Sequence, residues 1–241
     1  GRTDLWPENS ILQPLKKIIQ HYAFEKADLI HAWGSVMTIS MKARNVDMNK
    51  VLVLPKGIDL TKFENKNTAN PSKIHAIVTR SLTPDYRHEI ILNAFSILNQ
   101  KGIDFELTIV GDGILLPKLK ALAYRMNFTG RIPNTILPEL LQNSNIYISM
   151  PITEGVSASL FEAMASNCYP IVTDIPGNQS WITDYENGRL IPIDDYRMLA
   201  NAILWAFENS ETRNATVLKN RKFIEENVDF NTNMKIIANK Y

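Results

Sequence analysis

Glu154 and Glu162 stand with seven residues between them in the run Glu154-Gly-Val-Ser-Ala-Ser-Leu-Phe-Glu162, the most informative spacing of chemical groups in the chain. The surrounding pattern places Glu154 in a strand-to-helix loop and Glu162 about two turns into a helix over 156–166. At about 1.5 Å of rise per residue the two lie ~12 Å apart. That is too far for an acid/base couple acting across one glycosidic bond, but it suits two contacts to one extended ligand. Gly155, Val156 and Ser157 would offer backbone N–H groups at the helix N-terminus, a seat for a diphosphate. Glu162 would then accept hydrogen bonds from ribose hydroxyls, and Glu154 would face the group beyond the phosphates. The same pattern also fits a helix-start carboxylate and a solvent-facing helical glutamate.

Arg80 closes a strand, and Arg87 follows seven positions later across the Pro84-containing loop. Two cationic groups flanking a pyrophosphate neutralise its charge through charge-assisted hydrogen bonds; a surface role is the alternative for Arg87. Gly111-Asp112-Gly113 lets the backbone turn sharply and approach a ligand, although such a turn is also simply a turn. His21, His31, His75 and His88 lack metal-ligand spacing, and no Asp-x-Asp motif for a metal-bound nucleotide is evident. They read as structural or surface residues, and no metal or cofactor is expected.

The elements that must position these groups alternate. Apolar runs at 28–31, 50–54, 74–78, 105–110, 128–130, 146–149, 171–173 and 189–191 read as strands. Helical spacing marks 10–27, 35–44, 88–100, 114–125, 135–143, 156–166 and 195–209, and 212–241 reads as mostly helical. Strands alternating with helices of this length predict an α/β fold whose parallel sheet is covered on both faces. Ligands of such sheets bind beyond the carboxyl ends of the strands, which directs attention to the loops around Arg80, Gly111, Gly130, Pro151 and Asp174. Residues 65–72, polar and containing Pro71, have the composition of a linker.

Bulk composition narrows the classes. Of 241 residues, 26 are Lys or Arg and 25 Asp or Glu, a net charge of +1 that supplies no global field for nucleic acid or anionic lipid. A hydrophobic content of 45% excludes disorder, and the lone Cys168 excludes a disulfide framework and fits a reducing cytosol. No apolar run approaches the ~20 residues needed to span a bilayer. The helix at 10–27, basic on one side and preceded by Trp6, fits an ordinary packed helix and also a membrane-surface contact. The opening Gly1-Arg2-Thr3-Asp4 reads as the start of a fragment.

The Glu154–Glu162 segment, followed by Ala163-Met-Ala165 and Pro170-Ile-Val-Thr-Asp-Ile-Pro-Gly-Asn178, closely resembles the Glu-x7-Glu region of family-4 glycosyltransferases. The resemblance extends over nearly the whole chain. Pro55-Lys-Gly-Ile-Asp59 with Phe63 is similar to that family's interdomain hinge, and Arg80-Ser-Leu-Thr-Pro84 to its Gly-Arg-Leu loop. Gly111-Asp-Gly113 resembles its Gly-Asp-Gly turn, and Phe128-Thr-Gly-Arg-Ile132 its Phe-x-Gly-x-Val.

The resemblance implies a GT-B fold of two Rossmann-like domains. It divides the chain into the remnant of an acceptor-side domain over 1–55, a nucleotide-sugar-binding domain over 56–222, and a C-terminal helix over 223–241 packing back towards the first. It implies transfer of a sugar, with anomeric retention, from a nucleoside-diphosphate donor to a glycan or lipid-linked acceptor. The enzyme would work in the cytoplasm, at the inner face of the membrane where its acceptor is lipid-linked. Glu154, Arg80 and Arg87 would be catalytic. Gly111, Asp112, Gly113, Ile132, Gly155, Val156, Ser157 and Glu162 would bind the donor, Ile132 meeting the nucleobase with main-chain atoms. The family pairs its Arg with a Lys; here that position is replaced, the loop is one residue longer, and Arg87 is the substitute. The family's catalytic-site His would lie upstream of Gly1, and Arg125-Met-Asn-Phe128 joins helix to strand over fewer residues than usual. A GT-B nucleotide-sugar 2-epimerase and a non-catalytic nucleotide-binding module share the architecture and stay open on these residues.

Overall fold

The computed structural model describes residues 13–64, 68–70, 72–123 and 125–240. Trp6 and the opening tetrapeptide, with residues 65–67 and 71 of the expected linker, lie outside them. The larger unit is a six-stranded parallel sheet built from β3 (Ile74–Thr79), β4 (Phe105–Val110), β5 (Met126–Gly130), β6 (Ile146–Ser149), β7 (Tyr169–Thr173) and β8 (Arg189–Ile191), in the order β5-β4-β3-β6-β7-β8. The chain starts in the middle at β3, builds outward to β5, then returns to the centre at β6 and builds the other way. The sheet's switch point therefore lies between β3 and β6, where loops leave in opposite directions and open a crevice.

Burial explains why these runs are strands. All residues of β6 and β7 are buried, as a strand covered on both faces requires. In β3, Ile74, Ala76 and Val78 point into one core with Leu92, Phe95 and Leu98 of α3 (His88–Gln100) and Leu199 and Ile203 of α8 (Tyr196–Glu208). Ile77, between them, joins Tyr147 and Val172 in the opposite core. There it meets Leu160, Phe161 and Met164 of α6 (Ala158–Ala165) and Ile224 of α9 (Ser210–Asn227). The strand period of two divides one strand between two helical layers. Short helices α4 (Leu116–Leu122), α5 (Leu137–Gln142) and α7 (Pro176–Gln179) complete the unit. Helix α4 stops earlier than its apolar spacing suggests, because β5 begins at Met126, and α7 is a Pro-initiated turn with no periodic signal of its own.

The smaller unit holds α1 (Gln13–Lys26), β1 (Ile30–Ala32), α2 (Val36–Lys42) and β2 (Val51–Val53), the two strands forming a parallel pair. Its small core is Ile30, Ala32 and Met41. Leu15, Ile18, Ile19 and Tyr22 of α1 stand more than half exposed. The segment after β2 is held by the C-terminal part of the chain: Ile58 N–H donates to Val228 O (2.9 Å), Phe230 N–H to Ile58 O (3.0 Å) and Asn233 Nδ2 to Pro55 O (3.0 Å). The helical tail is accordingly two helices, α9 and α10 (Phe230–Ala238). They break at Asp229, whose carboxylate accepts from Thr232 N–H as an N-cap.

Candidate functional site

Arg80 leaves the carboxyl end of β3 at the switch point and reaches across to the loop after β6. Its Nε donates to Ser149 Oγ (3.0 Å), one Nη2 contact is an ion pair with Glu154 Oε2 (2.8 Å), and Nη2 also donates to Ser157 Oγ. Glu154 is only 4% exposed. The guanidinium also lies over the Tyr86 ring. Burial works against the Arg80 charge, but Tyr147, the Glu154 carboxylate and Tyr86 together outweigh it and raise its pKa. The cation is therefore fixed in a dry setting before any ligand arrives, an arrangement that makes an electrostatic contact strong.

The Glu154 loop is tied from two sides. Ile152 N–H donates to Asp85 O (2.9 Å) in the turn after Arg80, and Thr173 Oγ1 donates to Pro151 O (2.7 Å). Ser157 then caps α6, its Oγ accepting from Leu160 N–H (3.2 Å). Helix α6 thus begins at Ala158, later than the periodicity suggests, and leaves Gly155, Val156 and Ser157 as loop ahead of it. The backbone N–H groups of a first helical turn have no partner within the helix and face an incoming anion.

Gly111-Asp112-Gly113 borders the cleft at Gly111 and also braces this loop system. The close approach is to backbone: a Cβ on Gly111 would sit 2.2 Å from Arg80 O, and one on Gly113 2.4 Å from Leu82 O. Gly111 also holds φ +142°, a conformation glycine tolerates. Leu82 N–H donates to Asp112 O (2.9 Å) and Leu115 N–H to Leu82 O (3.0 Å), which clamps the Arg80 loop. The exposed Asp112 carboxylate accepts from Gly113 N–H (2.7 Å).

These loops border a cleft of about 520 Å³ lined by Arg80, Gly111, Ile132 and Glu162. The sequence did not single out Arg131, Asn134 and Lys62, which line it too. Arg131 lies inside the Phe128–Ile132 run, so the rule that ligands gather after strands could have found it. Glu162 is half-buried, and burial pushes its carboxyl pKa up while the Arg80 charge partly offsets the rise. Arg87 goes elsewhere: it starts α3 from a left-handed conformation (φ 49°) and forms an ion pair with Asp194 at the surface, not with the cleft. Among the described residues no group of three or more His, Cys, Asp or Glu side chains could hold a metal ion.

His88, read from sequence as structural or surface, is a core residue, 1% exposed, with neither ring nitrogen hydrogen-bonded. Burial, helped by the nearby Arg80 charge, lowers its pKa to about 4. In the unfolded chain it takes up a proton near the ordinary value of about 6.5. Its contribution is thus complete above that pH and is lost as pH falls towards 4, by about 3 kcal/mol. Urea unfolding from pH 7 to pH 4 should show this loss, and His88→Leu should flatten that part of the profile. An unchanged slope in the variant would assign the loss to another group.

Comparison with known proteins bears on the family and the fold. Residues 59–223 match the family model for glycosyl transferases group 1. The chain is 28% identical over 185 residues to the UDP-Gal:alpha-D-GlcNAc-diphosphoundecaprenol alpha-1,3-galactosyltransferase of Escherichia coli, covering 69% of this chain and 47% of that protein. It is 24% identical over 212 residues to the phosphatidyl-myo-inositol mannosyltransferase of Mycolicibacterium smegmatis, covering 84% and 52%. The crystal structure of Anabaena HepE with UDP and glucose aligns with a TM-score of 0.81 at 17% identity, over 98% of this chain and 68% of its own. That likeness shows the fold, GT-B. The chain spans about half the length of the curated relatives it matches.

Proposed function

The chain belongs to the group 1 glycosyl transferases, and on that premise we propose that it carries the donor side of an enzyme moving a sugar from a nucleoside-diphosphate-sugar to a glycan or lipid-linked acceptor, with anomeric retention. One observation supports the reading: Arg80, Ala158 and Ser159 of the first turn of α6, and Glu162 line one cleft at the sheet's switch point, while Ser157, just ahead of that turn, accepts a hydrogen bond from Arg80. The diphosphate sits between the Arg80 guanidinium and the first-turn N–H groups of α6, which stabilise the charge that grows as the sugar–phosphate bond breaks. Glu162 receives the ribose hydroxyls, and Ile132 and its neighbours meet the nucleobase through the main chain. Glu154, beyond the phosphates, orients the donor sugar and stabilises positive charge developing at its anomeric carbon. No residue of the proposed mechanism requires a metal ion.

Arg131, at the mouth of the same cleft, is better placed than Arg87 to supply the second cation, since Arg87 is engaged by Asp194. The acceptor side falls to the unit containing β1 and β2 together with whatever the whole protein adds to it. The boundaries 1–55, 56–222 and 223–241 are the division we propose. The exposed apolar side of α1 with Lys16 and Lys17 would be the membrane-facing element of a cytoplasmic enzyme.

Glu162 separates donor binding from folding. Its carboxyl is raised by burial, so the folded state binds its proton more readily than the unfolded chain, and its ionisation above that range opposes folding. Glu162→Gln should therefore leave stability at pH 7 unchanged or higher. The same change, and Glu162→Ala, should weaken nucleoside diphosphate binding by about 1–3 kcal/mol, the loss of hydrogen bonds to a charged acceptor. Calorimetry with UDP, GDP and ADP on wild type and both variants measures it. Equal affinity in folded variants would return Glu162 to the helix surface.

A further inference from the structure

A second hollow, of about 320 Å³, opens on the other side of Glu154, between α2 and the loops after β6 and β7. One wall is Val36 and Ile39 of α2 with Ala43 at its C-cap, spaced along a single face, and Ser40 beside them; the other is Ile152, Ile175 and Pro176, with Thr153. Ile39 and Ile152 stand 59% and 40% exposed. Two large branched side chains are thus held in water beside a buried carboxylate. Among the described lining residues Glu154 is the one charged group, and it is paired with Arg80. The walls are tied together next door. Ser35 Oγ donates to Ser180 Oγ (3.0 Å), and a Cβ on Gly34 would sit 2.7 Å from Val156 Cγ2.

Glu154 is therefore a boundary. Arg80, which pairs with its carboxylate, lines the cleft of the proposed phosphate seat, and Glu154 itself lines the apolar hollow. Beyond Ser40, Thr153 and the Arg80-paired Glu154, the described lining side chains have nothing to offer sugar hydroxyls, so a hydrated glycan gains less there than hydrocarbon does. Hydrocarbon gains much: each methylene removed from water strengthens binding by roughly fourfold. We infer that this hollow is the subsite for the hydrocarbon part of a lipid-linked acceptor, lodged beside the sugar-transfer position. The inference rests on the donor-side reading above and selects the lipid-linked class from the two acceptor classes that reading allows.

Short alkyl glucosides below their micelle concentration are the probe, followed through isoleucine methyl resonances of the 241-residue chain. UDP, which should shift Ile132, is titrated in parallel. Octyl glucoside is expected to shift Ile39, Ile152 and Ile175 saturably, hexyl glucoside to bind about tenfold more weakly, and glucose to leave these methyls unmoved. Ile39→Asp and the pocket-filling Ala43→Phe, both at exposed positions, should each weaken the octyl response about tenfold and keep the UDP response. An intact UDP response without saturable shifts at the three methyls overturns the lipid subsite and spares the donor site. Shifts confined to Ile18 and Ile19 of α1 overturn it as surfactant adhesion. Shifts of the three methyls on dilution without probe overturn it in favour of a second copy of the chain. Loss of the UDP response in folded protein overturns the donor reading and the subsite with it.

Discussion

Arg80→Met is expected to destabilise the protein by about 3–5 kcal/mol and to weaken nucleoside diphosphate binding by more than tenfold. The first effect follows from burial. Glu154 is 4% exposed and forms an ion pair with Arg80 at 2.8 Å, so removing the guanidinium takes the countercharge from a buried carboxylate. Ser149 and Ser157 lose their donor in the same step. The second effect follows from the loss of the cation nearest the proposed phosphate seat. The two are separable. Adding Glu154→Gln to Arg80→Met removes the buried charge and should recover most of the stability, while nucleotide affinity stays low. If the double variant recovers no stability, the ion pair is not what holds the loop. If it recovers full affinity, Arg80 is not a phosphate contact.

Glu154→Gln alone, in a protein with both domains, is expected to lower turnover by about 10²–10³, the scale seen when one group that stabilises transition-state charge is removed. Free UDP should bind as well as before or slightly better. The amide oxygen still accepts from Arg80, and one negative charge beside the diphosphate is gone. A fall in turnover without a fall in nucleotide affinity marks a contact made to the sugar as charge develops. Steady-state kinetics and calorimetry on the same preparation distinguish the cases. Parallel losses of turnover and nucleotide affinity would make Glu154 a phosphate-site or folding residue. Unchanged turnover would leave the chain with a binding site and no part for Glu154 in catalysis.

What the sequence conveyed and what it withheld divide along physical lines. Strands β6 and β7 are buried throughout and β3 nearly so, while β4 alternates buried Phe105 and Leu107 with exposed Glu106 and part-buried Thr108, so all four could be read directly as apolar or alternating runs. Helices α3 and α8 pack one face on the sheet, so their spacing is legible too. Arg80 was legible because it ends a strand, and Glu154 and Glu162 because they bracket a helix start. The destination of Arg87 was not, because Asp194 approaches it only after the sheet has brought the β8–α8 loop alongside α3. The close approach of Gly111 to the Arg80 backbone and of Gly113 to that of Leu82 was hidden for the same reason: a glycine records that something comes close, not what. His88 gives no sign in sequence of its burial at the start of α3. The apolar hollow joins α2 to loops far along the chain, and neither wall has a periodic pattern that names the other.

A crystal structure of the chain with UDP decides whether the cleft at the switch point seats a nucleoside diphosphate. The diphosphate is expected within hydrogen-bond distance of the Arg80 guanidinium and of backbone N–H groups in Gly155–Ser159, with a ribose hydroxyl on Glu162 and the base against the Ile132 main chain. Occupied density with the diphosphate elsewhere, such as the basic hollow at Arg213, would contradict it.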